Sequence, residues 1–224
     1  MKTIAVIPAG GKGIRSGTAA PKQYLKFNDK ELIVYTLDIF QQNEMIDDII
    51  ISAESNYINF FNDLKEKYNL SKISKVVEGG DTRQDSVYSA LKSLTDTANH
   101  DLIAVHDAAR PLLPQNVLLN AIGSAKQKGN ALVCIKAKDT LIKGNEFVET
   151  YLDRDEVYYV QTPQIFPYSI LMKAMKNAYE NNYIGTDESM LVRQIGEKVN
   201  IVEGSVYNFK ITTANDIEMF ERLV

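Results

Sequence analysis

The chain has 224 residues, 45% of them hydrophobic and 24% charged, which is enough apolar material for one large buried core. A net charge of -4 disfavours nonspecific binding to nucleic acid, and no apolar run is long enough to span a bilayer. The single cysteine, Cys134, excludes an intrachain disulfide and fits a cytoplasmic setting.

The first element predicted is a buried strand over Ile4-Ala5-Val6-Ile7, ended by Pro8, which cannot donate a ladder hydrogen bond. It begins so near the N-terminus that no signal peptide is expected. Glu31 to Gln42 has helical spacing, with Leu32, Tyr35 and Ile39 on one face. Ile49 to Ile51 is a second strand, Asn56 to Tyr68 a helix, and Val76-Val77 a third strand ending at Gly79-Gly80. A helix over Arg83 to Leu94 leads to a fourth strand, Leu102 to Val105. Gln115 to Lys128 is helical again, and Ala131 to Ile135 is a fifth strand, in which Cys134 reads as a buried thiol.

The pattern breaks over Lys136 to Tyr159. Leu141-Ile142-Lys143 and Phe147-Val148-Glu149 predict a hairpin turning at Gly144-Asn145. A lone hairpin is weakly stable, so this arm is expected to pack on something, such as a second copy of itself. The rest of the chain returns to strand and helix. Strands are expected at Val157 to Gln161, Val199 to Val202 and Asn208 to Ile211. Helices are expected at Ser169 to Asn181, near Thr186-Asp187, and from Thr213-Ala214-Asn215-Asp216, a capping-box-like start with Asp in place of Glu. Alternating strands and helices predict an α/β, doubly wound, mostly parallel, Rossmann-like sheet, in one domain over residues 1–224 with residues 136–159 as a projecting β-arm for dimerisation. Ligands on such sheets bind beyond the carboxyl ends of the strands.

Three stretches at strand ends carry chemistry. Ala9-Gly10-Gly11-Lys12-Gly13-Ile14-Arg15, with Lys22 further on, combines glycines that admit close backbone approach with clustered cations. That suits a nucleotide triphosphate better than an ordinary tight turn with solvated basic residues. It is not a Walker loop, because Gly13 follows Lys12 where Ser or Thr is needed. Nor is it the dinucleotide fingerprint, because Gly17 falls one place too late. Glu78-Gly79-Gly80-Asp81-Thr82-Arg83-Gln84-Asp85-Ser86 reads on its own as a loop with an N-cap, although the glycines and Ser86 also suit a base and ribose. His106-Asp107-Ala108-Ala109-Arg110-Pro111 places an aspartate suited to magnesium beside an arginine suited to phosphate, or else an Asp107–Arg110 ion pair that fixes the loop. His106 reads as structural rather than catalytic.

The glycine loop followed by Pro21-Lys22-Gln23-Tyr24-Leu25 resembles the signature of nucleotidyltransferases, and within them the cytidylyltransferases of small polyol phosphates. Gly79-Gly80, Arg83 and Ser86-Val87 match the segment that this family uses around cytidine. Together with Lys138-Asp139-Thr140, Asp153-Arg154, Gln161-Thr162-Pro163-Gln164, Thr186-Asp187 and Asn208-Phe209-Lys210-Ile211-Thr212, they resemble the 2-C-methyl-D-erythritol 4-phosphate cytidylyltransferases over nearly the whole chain. Ser16 stands where the family usually has Met, and Phe209 where Ile is common.

The resemblance implies the nucleotide-diphospho-sugar transferase type of sheet. It implies transfer of CMP from CTP to 2-C-methyl-D-erythritol 4-phosphate in non-mevalonate isoprenoid synthesis, with pyrophosphate released. By resemblance Arg15, Lys22, Arg154 and Lys210 are catalytic. Pro8, Ala9, Gly10, Gly11, Lys12, Gly13, Gly79, Gly80, Asp81, Arg83 and Ser86 bind CTP. Arg110, Thr140, Arg154, Thr162 and Lys210 bind the acceptor, Asp107 holds Mg2+, and the chain is a homodimer with no nucleic-acid or membrane partner. The nearest rival is a ribitol-5-phosphate cytidylyltransferase, against which Ala109 counts, since Val is usual there. A nicotinamide-dependent oxidoreductase is disfavoured by the glycine spacing and the missing ribose-binding acid. A non-enzymatic nucleotide sensor is disfavoured by retention of Arg15, Lys22, Asp107 and Lys210.

Overall fold

The first strand, β1 (Thr3–Pro8), lies inside the sheet and explains why its apolar run has no polar alternation. Ala5 and Ile7 face one core and Ile4 and Val6 the other, so both faces are buried. The computed structural model describes residues 1–10 and 21–224. The predicted loop residues Gly11, Lys12, Gly13 and Arg15, together with Ser16, lie outside the described residues.

A short hairpin of β2 (Lys26–Phe27) and β3 (Lys30–Glu31) leads into α1 (Leu32–Gln41). Its turn uses Asn28 and Asp29 at φ 49 and 61, a conformation these residue types tolerate. The alternation continues through β4 (Asp48–Ala53), α2 (Ile58–Lys67), β5 (Ile73–Glu78), α3 (Arg83–Lys92), β6 (Leu102–Val105), α4 (Gln115–Lys128) and β7 (Ala131–Lys136). Next come β8 (Leu141–Gly144), β9 (Val148–Leu152), β10 (Tyr158–Pro167), α5 (Tyr168–Glu180), α6 (Glu188–Gln194), β11 (Ile201–Glu203) and α7 (Ala214–Glu221).

The main sheet has the order β11-β7-β10-β6-β1-β4-β5. Strands β6, β1, β4 and β5 are parallel neighbours, as are β11 and β7. Strand β10 runs antiparallel to both β6 and β7. The sheet is therefore mixed, and β10 joins its two parallel parts. Helices α1, α2 and α4 cover one face, around Leu37, Phe40, Ile51, Phe61 and Ile122. Helices α3, α5 and α6 cover the other, around Val6, Val87, Ile103, Phe166 and Met175. From β1 the chain winds outward to β4 and β5, then crosses back to β6 on the other side of β1. That reversal opens a crevice between β1 and β6, the favoured ligand position in such sheets.

Two expectations need correction. Asn208 to Ile211 is not a strand, although Phe209 and Ile211 alternate as one would. Its backbone bond from Ile211 N to Ala109 O, 2.9 Å, is not continued as a ladder, and Ile211 packs with Phe27, Leu32 and Phe220. In the arm, Gly144 pairs with Val148 across a bulge, so the glycine ends a strand instead of forming the turn. The arm leaves Phe147 82% and Tyr151 70% exposed.

Candidate active site

A cleft of about 870 Å³ opens beyond the carboxyl ends of β1, β4, β5 and β6. Its walls are Pro8 to Gly10 after β1, Glu54 to Asn56 after β4, Gly79 to Arg83 after β5 and Asp107 to Ala109 after β6. Lys22, Gln23, Ser86 and Lys210 complete it. All eight predicted CTP-binding residues among the described ones therefore meet in one place.

The end of β1 is pinned on both sides. Ala9 N donates to Ser52 O at 2.7 Å, while Ala9 O accepts from Gln23 Nε2 at 2.8 Å and from the Tyr24 hydroxyl at 3.1 Å. Tyr24 stacks on Tyr57 with ring centroids 4.1 Å apart and meets Phe60 and Phe61 edge-on. The short helical turn Lys22–Tyr24 is thus bolted to the core, and it carries Lys22 to the cleft. Neither Gln23 nor Tyr24 was assigned a role from sequence, and their place in the Pro21-to-Leu25 run was the available signal.

Across the cleft, Thr82 and Asp85 form the capping box that opens α3. Here the plain N-cap reading holds. The glycines are still needed for space. A Cβ on Gly79 would lie 2.8 Å from Ser86 Oγ, and one on Gly80 would lie 2.3 Å from Asp85 Cβ. Ser86 Oγ accepts from Gly80 N at 3.3 Å and donates to Thr82 O at 3.0 Å, fixing the turn that lines the pocket.

The floor is a cluster of charge. Asp107 Oδ1 accepts from Arg83 Nε at 3.0 Å, while Oδ2 pairs with Lys210 Nζ at 3.0 Å and Arg110 Nε at 3.3 Å. Arg83 turns its other two nitrogens to Glu188, Nη1 at 2.6 Å and Nη2 at 3.1 Å. Three cations against two carboxylates leave one positive charge in excess, which suits a polyanion. Burial alone would raise the Asp107 carboxyl, but the charges of Arg83, Lys210 and Arg110 outweigh it and hold the group well below the usual carboxylate range.

Behind Asp107 runs a directional chain of hydrogen bonds. Asp107 N donates to Thr162 Oγ1 at 3.1 Å, and Thr162 Oγ1 lies 3.0 Å from His106 Nδ1. His106 Nε2 lies 3.1 Å from Arg110 O, a pure acceptor, so Nε2 carries the proton and Nδ1 accepts from the threonine. Burial pushes His106 down to about 4, so it is neutral at physiological pH and its role is structural, as the sequence suggested. Asn208 Nδ2 donates to Thr162 O at 2.7 Å and Arg110 Nη1 to Asn208 O at 2.6 Å, which brings Lys210 into place. Replacing Thr162 by valine strands two buried polar groups and should lower stability by about 2 kcal/mol in urea unfolding. A change under about 0.5 kcal/mol would mean that the loop is locked by other contacts.

Four predicted acceptor residues do not line the cleft of their own chain. Thr162 is buried, with its hydroxyl taken by the loop it supports. Arg110 stands behind Asp107. Thr140 is exposed at the base of the arm, and Arg154 is exposed with Nη1 3.3 Å from Lys138 O. Among the described residues, no group of three or more His, Cys, Asp or Glu is arranged to hold a metal.

A sequence model of a family described as 2-C-methyl-D-erythritol 4-phosphate cytidylyltransferase matches residues 3–224. The chain belongs to that family. The family activity, CTP-dependent cytidylyl transfer to 2-C-methyl-D-erythritol 4-phosphate in isoprenoid biosynthesis, is this chain's activity. A cytidylyltransferase of that name from Clostridioides difficile is 37% identical over 221 residues, covering 98% of this chain and 92% of the relative. One from Bacillus anthracis is 36% identical over 218 residues, covering 96% and 95%. Among solved structures, the cytidylyltransferase of Francisella tularensis superposes with a TM-score of 0.85 at 32% identity over 100% of both chains. That of Thermus thermophilus gives 0.80 at 27% identity over 100% and 98%. Membership sets aside the oxidoreductase and the sensor, and ribitol phosphate is not the favoured acceptor.

Proposed function

We propose that transfer occurs by one in-line displacement in this cleft. A phosphate oxygen of 2-C-methyl-D-erythritol 4-phosphate attacks the α-phosphorus of CTP. The new P–O bond forms as the bond to the β-phosphate bridging oxygen breaks, and that electron pair leaves with pyrophosphate. No proton need be removed from the nucleophile. The enzyme's task is to hold two polyanions together and offset their charge, so catalysis is mainly positioning and electrostatics. The observation carrying this reading is the Asp107–Arg83–Lys210 cluster, which shares one cleft with Lys22, Gly10 and the Gly79-Gly80 turn.

In this reading Pro8 to Gly13 cradle the triphosphate, with Lys12, Arg15 and Lys22 on its charge. Gly79, Gly80, Asp81, Arg83 and Ser86 hold base and ribose. Lys210 takes the acceptor phosphate, and Arg110 and Thr162 support the loop from behind. Magnesium fits Asp107. A carboxylate offers about four lone-pair positions, of which three are in use, and magnesium takes one or two carboxylates with phosphate oxygens supplying the rest. When bound, the ion would offset charge on the triphosphate. Assaying pyrophosphate release with CTP and either 2-C-methyl-D-erythritol 4-phosphate or ribitol 5-phosphate tests the reading. Equal turnover of both acceptors would overturn the assigned specificity.

The acceptor site is shared between two copies of the chain, with Thr140 and Arg154 supplied by the partner's arm. Support comes from the exposed apolar arm, on which none of the described residues covers Phe147 and Tyr151, and from the outward position of Arg154. Lys22→Ala and Arg154→Ala, each nearly inactive alone, are expected to complement when unfolded and refolded together. Random pairing puts both lesions in one pocket of about half the dimers, so roughly a quarter of all pockets are intact. Mixed dimers as inactive as their parents would place Arg154 within its own chain's site. A cytoplasmic location is supported by the lone buried Cys134. No helix among the described residues is long and apolar enough to cross a membrane.

A further inference from the structure

Glu188 is the first residue of α6 and is 1% exposed. A carboxylate so deeply buried is tolerated only with a partner of opposite charge. Arg83 supplies it in fork geometry, Nη1 to Oε1 at 2.6 Å and Nη2 to Oε2 at 3.1 Å. Two parallel bonds fix the plane of the guanidinium, and the remaining edge, Nε–H, points at Asp107 Oδ1, 3.0 Å away. Glu188 is itself held firmly. Its neighbours Asp187 and Ser189 are tied to Gln164 on β10, through Gln164 Nε2 to Asp187 Oδ2 at 3.1 Å and Ser189 N to Gln164 Oε1 at 2.9 Å.

Arg83 also lines the cleft. A long cation beside an incoming triphosphate is drawn toward it, and in moving it would release Asp107. The bidentate grip on its far end opposes that movement. Asp107 then keeps its carboxylate plane, with Oδ2 directed to Lys210 and Arg110. We propose that Glu188 is a positioning residue for the transfer reaction, acting through Arg83 on Asp107. The inference rests on the assignment of Asp107 and Lys210 to the reaction.

The test compares Glu188→Gln, Arg83→Gln and the double variant, with Glu188→Asp as the conservative replacement. Misplacing a reacting group by about 1 Å costs up to about 10²-fold, so kcat should fall by ~10- to 10²-fold in E188Q. E188D should recover part of that loss, because it still pairs with Arg83. If Glu188 acts only through Arg83, adding E188Q to R83Q should change kcat by no more than ~2-fold. A merely structural ion pair predicts wild-type kcat in whatever protein folds, and that result in E188Q or R83Q would overturn the proposal. So would a double variant that loses the product of the two single losses. Should E188Q alone not fold, R83Q against the double variant decides, since the double variant buries neither charge unpaired.

The 15N-detected Nε–H signal of Arg83, recorded without substrates, reports the tether directly. It should be shifted by both E188Q and Asp107→Asn. An unchanged signal in E188Q would overturn the tether whatever the roles of Asp107 and Lys210. A shifted signal with normal kcat in E188Q but lowered kcat in D107N would overturn the positioning role, whereas normal kcat in both would locate the error in the assignment of Asp107 to the reaction.

Discussion

Replacing Lys22 by alanine is expected to lower kcat by about 10²–10³-fold, the usual cost of removing one charge-stabilising group from a transition state. The fold should survive the change. The backbone of this turn is held by Tyr24 N to Pro21 O at 3.0 Å and Leu25 N to Lys22 O at 3.1 Å. Its neighbours Gln23 and Tyr24 grip Ala9 O, and Tyr24 sits in an aromatic cluster. None of these contacts uses the ammonium group. Turnover and thermal unfolding should be measured on the same preparation. A variant with near-normal turnover would remove Lys22 from the mechanism. Lys22→Arg should retain part of the activity, because it keeps the charge in a different shape.

The second large effect is expected for Asp107→Asn. Three cations converge on this carboxylate, and its removal leaves them facing one another. Breaking a buried ion pair from one side typically costs about 3–5 kcal/mol, and the lower figure is expected here because Arg83 keeps Glu188 as a partner. Turnover should fall by at least ~10² as Lys210 loses its anchor. The loss should depend on pH. A carboxyl held below its unfolded-chain value contributes its full stabilisation above about pH 4 and loses it as pH falls further. The stability curves of wild type and D107N should therefore run parallel at neutral pH and begin to converge below about pH 4. Curves that stay parallel through the acid range would mean that Asp107 is not the centre of the cluster.

Much of the architecture was legible because its signals are local. Apolar runs such as Ile4 to Ile7 and helical spacing such as that of Val117, Leu118, Ala121 and Ile122 report burial directly. Strand pairing is not local. Nothing in Tyr158 to Pro167 shows that this segment inserts antiparallel between β6 and β7, because that depends on which edges are open when it arrives. Asn208 to Ile211 was misread for a related reason. Its alternation comes from Phe209 and Ile211 packing on one small side cluster while Asn208 bonds to Gln161 and Thr162, a side-chain pattern that needs no ladder of backbone bonds. In the site, glycines and clustered cations mark the loops. Glu188 left no such mark. An acid beside Thr186-Asp187 looks like an exposed first-turn residue of a helix, and only the tertiary fold buries it against Arg83.

The ion cluster at the cleft floor draws on distant parts of one chain: Arg83 and Asp107 from its first half, Glu188 and Lys210 from near its far end. During synthesis the parallel strands β1, β4, β5 and β6 can assemble early, since domains tend to fold from the N-terminal side. At that stage Thr162, Glu188 and Lys210 have not been made, and Asp107 would have only Arg83 and Arg110 to face. A ribosome-bound chain thus carries the Gly79-Gly80 wall of the cleft without its finished floor. Competence to join two phosphates arrives last, with the C-terminal segment, so an unfinished chain has little means of turning over CTP.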